Sequence, residues 1–118
     1  MGIKLAIIGS RSFRDKHKLE LAINELNLNI ATVVSGGAMG ADKLGEEWAK
    51  NQGKKVELHL PEWAKYGRSA GIIRNKTIVQ SCDFCLAFWD GKSKGTNSSI
   101  ELCKKLKIPC KVIEYQSE

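Results

Sequence analysis

The sequence predicts an α/β fold, with a five-stranded parallel sheet covered by helices on both faces. Three observations carry that prediction. Apolar runs and amphipathic stretches alternate along the chain as β-α-β-α-β-loop-α-β-α-β. The run Leu5-Ala6-Ile7-Ile8 is continuously apolar, as expected for a strand buried on both faces. Three strand ends open into turns rich in glycine and serine, at Gly9-Ser10, at Ser35-Gly36-Gly37 and at Asp90-Gly91. Right-handed crossovers arrange such a chain as three layers, α/β/α, with strand order 3-2-1-4-5. Ligands of these sheets bind outside the carboxyl ends of the strands, where the order reverses. Here that point lies between strands one and four, flanked by the loops 9–13 and 90–97, with 35–42 beside them.

The chain has 118 residues, enough for one domain over 1–118 with a self-sufficient core. Lysine and arginine number 19 against 13 acids, a net charge of +6 that favours anionic partners. The basic residues recur along the whole chain and form no tail. No apolar run approaches the length of a membrane span, so no membrane partner is expected. Ile3-Lys4-Leu5-Ala6-Ile7-Ile8 already belongs to the fold, so no secretory leader is expected before it. Ala6 stands where a myristoylation signal needs Ser or Thr. A cytoplasmic location and reduced cysteines follow as expectations.

Strand one ends in the loop Gly9-Ser10-Arg11-Ser12-Phe13. Arg11 is a candidate phosphate clamp, because its planar fork suits bidentate contact. Leu19, Ala22, Ile23 and Leu26 fall on one helix face, and Asn27-Leu28-Asn29 ends that helix. His17, near its start, reads as exposed and non-catalytic. Strand two runs from Ile30 to Val34.

Next comes Ser35-Gly36-Gly37-Ala38-Met39-Gly40-Ala41-Asp42, a glycine-rich turn opening a helix. Glycine permits positive φ and close approach, and a helix N-terminus offers unpaired N–H groups to a phosphate. Asp42 in the first turn has two readings, as an acid that complements the helix dipole or as a hydrogen-bond partner of ribose hydroxyls. The helix packs through Ala41, Leu44, Gly45, Trp48 and Ala49. Gly45 inside it costs about 1 kcal/mol against alanine, which points to close packing on a strand. Strand three, 55–60, alternates in polarity and belongs at a sheet edge. His59 there reads as a strand-face residue.

The stretch 61–71 reads as irregular. Trp63 and Tyr66 in it have two readings, as a loop that stacks a base or as rings that cap the core. A short helix over 72–79 carries Arg74 and Asn75, and strand four covers 83–89. Cys82 and Cys85 form a C-x-x-C that precedes a strand, whereas a redox pair follows one and opens a helix. Cys103 and Cys110 lack zinc-ligand spacing. No metal and no cofactor are therefore expected.

The turn Asp90-Gly91-Lys92-Ser93-Lys94-Gly95-Thr96-Asn97 is not a P-loop, since the first glycine of that motif would fall at Leu86. Gly95 and Thr96 would place N–H groups and a hydroxyl at the start of the last helix. Ser98 and Glu101 have capping-box spacing, which gives Glu101 a structural alternative to a catalytic role. Pro109 stops the helix, and Lys111-Val112-Ile113 is strand five.

Five stretches together resemble a known family. They are Ile8-Gly9-Ser10-Arg11, Ser35-Gly36-Gly37-Ala38-x-Gly40-Ala41-Asp42, Trp63-x-x-Tyr66-Gly67, Ala70-Gly71-x-x-Arg74-Asn75 and Phe88-Trp89-Asp90-Gly91-x-Ser93-x-Gly95-Thr96. In this order they are similar to the small YspA/YAcAr-type proteins of the SLOG superfamily, which also holds the lysine-decarboxylase-like LOG proteins and the DprA DNA-processing proteins. The resemblance covers nearly the whole chain. It implies a Rossmann-like domain that senses or processes nucleotide-derived ligands. The implied ligand-binding set is Gly9, Ser10, Arg11, Ser35, Gly36, Gly37, Gly40, Asp42, Trp63, Tyr66, Arg74, Asn75, Asp90, Gly91, Ser93, Gly95 and Thr96.

LOG enzymes are phosphoribohydrolases with the motif P-G-G-x-G-T-x-x-E. Here Gly95-Thr96 is present, the proline-glycine lead is not, and Glu101 lies five positions past Thr96 rather than three. The reading is therefore a nucleotide-ligand-binding domain, non-catalytic or weakly catalytic, with Asp42 and Glu101 as the candidate carboxylates. Its rivals are a nucleotide N-glycosidase and a DprA-like single-stranded DNA binder. Homo-oligomerisation is expected, because a small domain with an edge strand can pair with a second copy.

Overall fold

The structure, a computed structural model, describes residues 2–116. Five parallel strands, β1 (Ile3–Gly9), β2 (Ile30–Ser35), β3 (Lys55–Leu58), β4 (Phe84–Trp89) and β5 (Cys110–Glu114), form one sheet in the order β3-β2-β1-β4-β5. Five helices join them: α1 (Lys16–Leu26), α2 (Ala41–Asn51), α3 (Trp63–Tyr66), α4 (Ala70–Ser81) and α5 (Lys94–Leu106). The three-layer Rossmann-like arrangement and the strand order agree with the sequence prediction.

β1 shows why the central strands read as unbroken apolar runs. Leu5 and Ile7 enter one core with Leu19, Ile23, Val33 and Phe88, while Ala6 and Ile8 enter another with Val34, Val79, Ala87 and Ile100. Each core is the underside of a helical layer, so alternate residues of one strand must all be apolar. Gly45 of α2 does lie hard against β1, since a Cβ there would come within 2.9 Å of Ile7 Cγ2. Asp15 caps α1 through the Lys18 N–H, and Asn27 closes it in the left-handed region at φ 52°.

Three expectations about elements are corrected. The stretch 61–71 is not irregular: α3 is followed by a single 3-10 turn, Gly67–Ser69, that leads directly into α4. The Glu62 carbonyl accepts the N–H groups of Lys65 and Tyr66, and Gly67 at φ +55° turns the chain between the two pieces. α4 accordingly starts at Ala70, not at residue 72. The third correction concerns α5. Ser93, not Ser98, is its N-cap, with the Ser93 hydroxyl accepting the Thr96 N–H at 3.4 Å. The helix thus begins a turn earlier than the Ser98–Glu101 spacing implied, and those two residues lie inside it. Among the described residues no helix is long and apolar enough to cross a membrane.

Candidate functional site

The carboxyl end of β1, one face of α4 and the first turns of α2 and α5 frame a cleft of about 270 Å³. Of the residues expected at the site, Gly9, Ser10, Arg11, Asp42, Arg74, Asn75, Ser93, Gly95 and Thr96 line it. Ile8, Ala38, Ile78 and Ser99 complete the wall. A larger depression of about 540 Å³, lined by residues of 12–15 with Lys18, Tyr115 and Gln116, shares no residue with this cleft. The strand-end cleft is the one that gathers residues of all three strand-end turns, Gly9 to Arg11, Ala38 with Asp42, and Ser93 to Thr96.

Its floor is held by the two loops that flank the reversal of strand order. The Ser10 N–H donates to the Phe88 carbonyl at 3.0 Å, and the Asp90 N–H donates to the Ser10 hydroxyl at 3.3 Å. Gly9 is required here, because a Cβ would fall 2.6 Å from the Phe88 carbonyl oxygen. Gly95 faces open space instead, which leaves the start of α5 uncovered. Thr96 is buried beside it, and its hydroxyl lies 3.2 Å from that of Ser93.

The glycine turn after β2 differs from expectation. The N–H groups of Gly36, Gly37 and Ala38 are engaged within the chain. Asp42 Oδ2 accepts the N–H of Gly36 at 3.1 Å and of Ala38 at 3.3 Å, and the Ser35 hydroxyl accepts that of Gly37 at 3.2 Å. A local carboxylate therefore fills the place assigned to a phosphate. The glycines of this turn serve contacts within the protein. Gly36 makes room for Arg74, and Gly40, at φ +84°, for the carbonyls of Ser10 and Arg11. Gly37 stands against Leu60.

Burial raises the Asp42 carboxyl to about 6; the Ala38 N–H, the Arg74 charge and the Gly36 N–H oppose that rise without cancelling it. Glu46, one helical turn further along α2, is also buried and accepts the Ser35 hydroxyl at 2.7 Å, with Lys43 at 3.7 Å. Sequence reading missed Glu46. The signal was its i, i+4 spacing from Asp42, which puts both carboxyls on the face of α2 that meets the glycine turn.

Arg74 reaches the site from α4. Its Nη1 donates to the Gly36 carbonyl at 2.6 Å and its Nε to the Asn75 side-chain oxygen at 2.8 Å. These bonds use two of the five N–H donors of the guanidinium. Burial is the main influence lowering the pKa of Arg74, and the neighbouring Arg11 charge adds to it. Two guanidiniums thus face one cleft, an arrangement that an anion between them would relieve.

Other expected site residues lie elsewhere. Asp90 turns into its own loop, where Oδ1 accepts the Lys92 and Ser93 N–H groups, and those bonds hold its carboxyl below the usual range. Gly91, at φ +81°, shapes the same turn. Tyr66 lines an adjoining depression with Leu58, Ile73 and Arg74, the last shared with the cleft, and Trp63 is 57% exposed. Neither ring reaches the strand-end cleft. Glu101 is exposed on α5, where it pairs with Lys104 at 3.4 Å, outside the cleft. His59 bonds Glu57 at 2.7 Å but lies one residue past β3, which ends at Leu58 and not at residue 60 as the alternation implied.

Comparison with known proteins agrees with this architecture. The YspA, cpYpsA-related SLOG family matches residues 3–66, which hold β1, the Ser10–Arg11 loop and the glycine turn. This chain belongs to that family. Among curated proteins, the Gene 61 protein of Mycobacterium phage D29 is 36% identical to this SLOG chain over 115 residues, covering 90% of this chain and 92% of that protein. No solved structure matches the chain.

Proposed function

We propose that this protein binds a nucleotide, or a phosphorylated ligand derived from one, in the cleft between the end of β1, α4 and the start of α5. Membership of a SLOG family supports nucleotide-related ligand binding in general terms. The observation that carries the finer reading is the pairing of Arg11 and Arg74 on one cleft with the uncovered first turn of α5. The phosphate sits between the two guanidiniums and the Gly95-Thr96 turn, where charge-assisted bonds and the helix dipole act together. Asp42 and Asn75, on the same cleft, are the groups for ribose hydroxyls.

The test is calorimetric titration of a panel of nucleoside 5′-phosphates and their nucleosides. A phosphorylated member should bind at least tenfold more tightly than its nucleoside, about 1.4 kcal/mol. Equal affinities would sink the reading.

A second reading is favoured by one observation. Asp42 is a buried carboxyl with a pKa near 6 under the charge of Arg74, on the wall of the cleft, which is the poise of a general acid or base working close to neutrality. It makes Asp42, not Glu101, the carboxylate for N-glycosidic hydrolysis. The DNA-binding rival gains no aromatic stack within the cleft, since Tyr66 lines the adjoining depression that shares Arg74 with it.

A further inference from the structure

The cysteines take no part in the cleft, yet three of them converge. Cys85 on β4 and Cys110 on β5 are register partners in adjacent parallel strands. Cys103 of α5 packs onto the same face of the sheet, within the apolar cluster of Val79, Ala87 and Ile100. The three Sγ atoms all lie within 4.8 Å of one another. Cys85 and Cys103 are fully buried and Cys110 is half-buried. Cys82 belongs to the same cluster, but its Sγ is turned to the Val79 carbonyl at 3.4 Å, outside the trio.

One buried cysteine is a small apolar residue. Three whose sulfurs meet, drawn from three elements by tertiary packing, make a soft donor set with no carboxylate or imidazole in it. Such a set selects zinc(II) or copper(I) over magnesium and calcium. Distances separate metal binding from a disulfide. A metal with bonds of about 2.3 Å holds its thiolates roughly 3.8–4.0 Å apart, so the trio needs to contract by less than about 1 Å. A disulfide draws two sulfurs to about 2.05 Å, requires an oxidant and leaves the third thiol out.

From this convergence we infer that Cys85, Cys103 and Cys110 form a trithiolate site for a soft d10 cation, zinc(II) or copper(I), which clamps α5 to the β4–β5 side of the sheet. Each sulfur exchanges its S–H bond for a bond to the metal, and the protons leave to solvent. Zinc leaves the site with one net negative charge and copper(I) with two. The positive charge of Lys104 acts on Cys110 and offsets part of it.

The site is tested on the reduced, metal-free full chain under anaerobic conditions. One arm titrates zinc(II) against a competing chelator, and the other titrates copper(I) against a copper(I) chelator. One equivalent of at least one ion should bind, with thiolate-to-metal charge-transfer absorption when copper(I) is the ion. Cys110→Ser, at the half-buried position, and Cys103→Ser should each weaken binding roughly 100-fold or more, whereas Cys82→Ser should keep it. The wild-type titration needs no variant to fold. Failure of both ions to bind stoichiometrically would overturn the site. So would unchanged binding in Cys110→Ser, or a loss in Cys82→Ser as large as in Cys110→Ser.

Discussion

Asp42 holds the Gly36 N–H at 3.1 Å with the same oxygen that holds the Ala38 N–H at 3.3 Å. The glycine turn therefore carries its anion within the chain. In the proposed binding mode, a ligand's phosphate is anchored by the groups across the cleft, Arg11, Arg74 and the start of α5. This division of labour sets which substitutions should disturb the fold and which should disturb binding.

The first prediction is a pH dependence. The Asp42 pKa rises from 3.8 to about 6 in the folded protein, chiefly through burial. The folded state then holds a proton that the unfolded state has lost, so stability falls as pH rises from about 4 to 6. About two pKa units correspond to roughly 3 kcal/mol. Asp42→Asn keeps a side-chain oxygen for the two N–H groups and removes the charge. Urea denaturation from pH 4 to 7 should show the wild type losing stability relative to Asp42→Asn across that window. Parallel pH profiles for the two proteins would refute the burial of a charged Asp42.

The second prediction separates Arg11 from Arg74. Arg11 is exposed, lines the cleft and makes no ion pair among the described residues. Arg11→Ala should leave stability within about 0.5 kcal/mol of the wild type. It should also cost a nucleoside phosphate at least tenfold in affinity and its nucleoside almost nothing. Arg74→Ala should lower both stability and affinity, because Arg74 also holds the Gly36 carbonyl at 2.6 Å. An Arg11→Ala protein that binds phosphates as before would remove Arg11 from the site.

Gly45→Ala supplies the third prediction. Alanine is the better helix former by about 1 kcal/mol. Here its Cβ would meet Ile7 at 2.9–3.0 Å, and Ile7 is fully buried in the central strand. Overpacking of this kind costs about 1–3 kcal/mol and should win. Chemical denaturation should find Gly45→Ala less stable than the wild type. A gain of stability would show that the α2–β1 contact relaxes freely.

The outcome at Gly45 also shows what was legible in the sequence. A glycine at a helix position that should have been alanine announced a helix–strand contact, and β1 announced a doubly covered strand because its apolar run does not alternate. Edge position could be read from the mixed polarity of β3. The destination of the glycine turn's N–H groups could not. A bound phosphate and a carboxylate six residues along satisfy the same donors, and only coordinates decide between them. The start of α5 was ambiguous for a similar reason, since both Ser93 and Ser98 are competent caps. The meeting of Cys85 with Cys110 depends on strand register, which no spacing within the chain reveals.

The last prediction concerns catalysis. Hydrolysis of a glycosidic bond needs stabilisation of a cationic ribosyl transition state and, as a rule, a positioned acid or base. Glu101 is exposed, pairs with Lys104 and does not line the cleft; it lines a neighbouring depression that shares Asn75, Gly95 and Ser99 with it. Asp42 has access, but its Oδ2 is engaged by two backbone N–H groups, and the loop it supports must stay in place for any ligand to bind. The expected result is that the wild type releases little or no free base from nucleoside monophosphates over hours at neutral pH. Glu101→Gln should match the wild type in binding and stability, and Asp42→Asn should weaken binding. Chromatography decides the matter directly. Enzyme-dependent release of base that is lost in Asp42→Asn while ligand still binds would make the protein a phosphoribohydrolase acting through Asp42. The same loss in Glu101→Gln would instead put the reacting bond at the neighbouring depression that Glu101 lines with Asn75, Gly95 and Ser99.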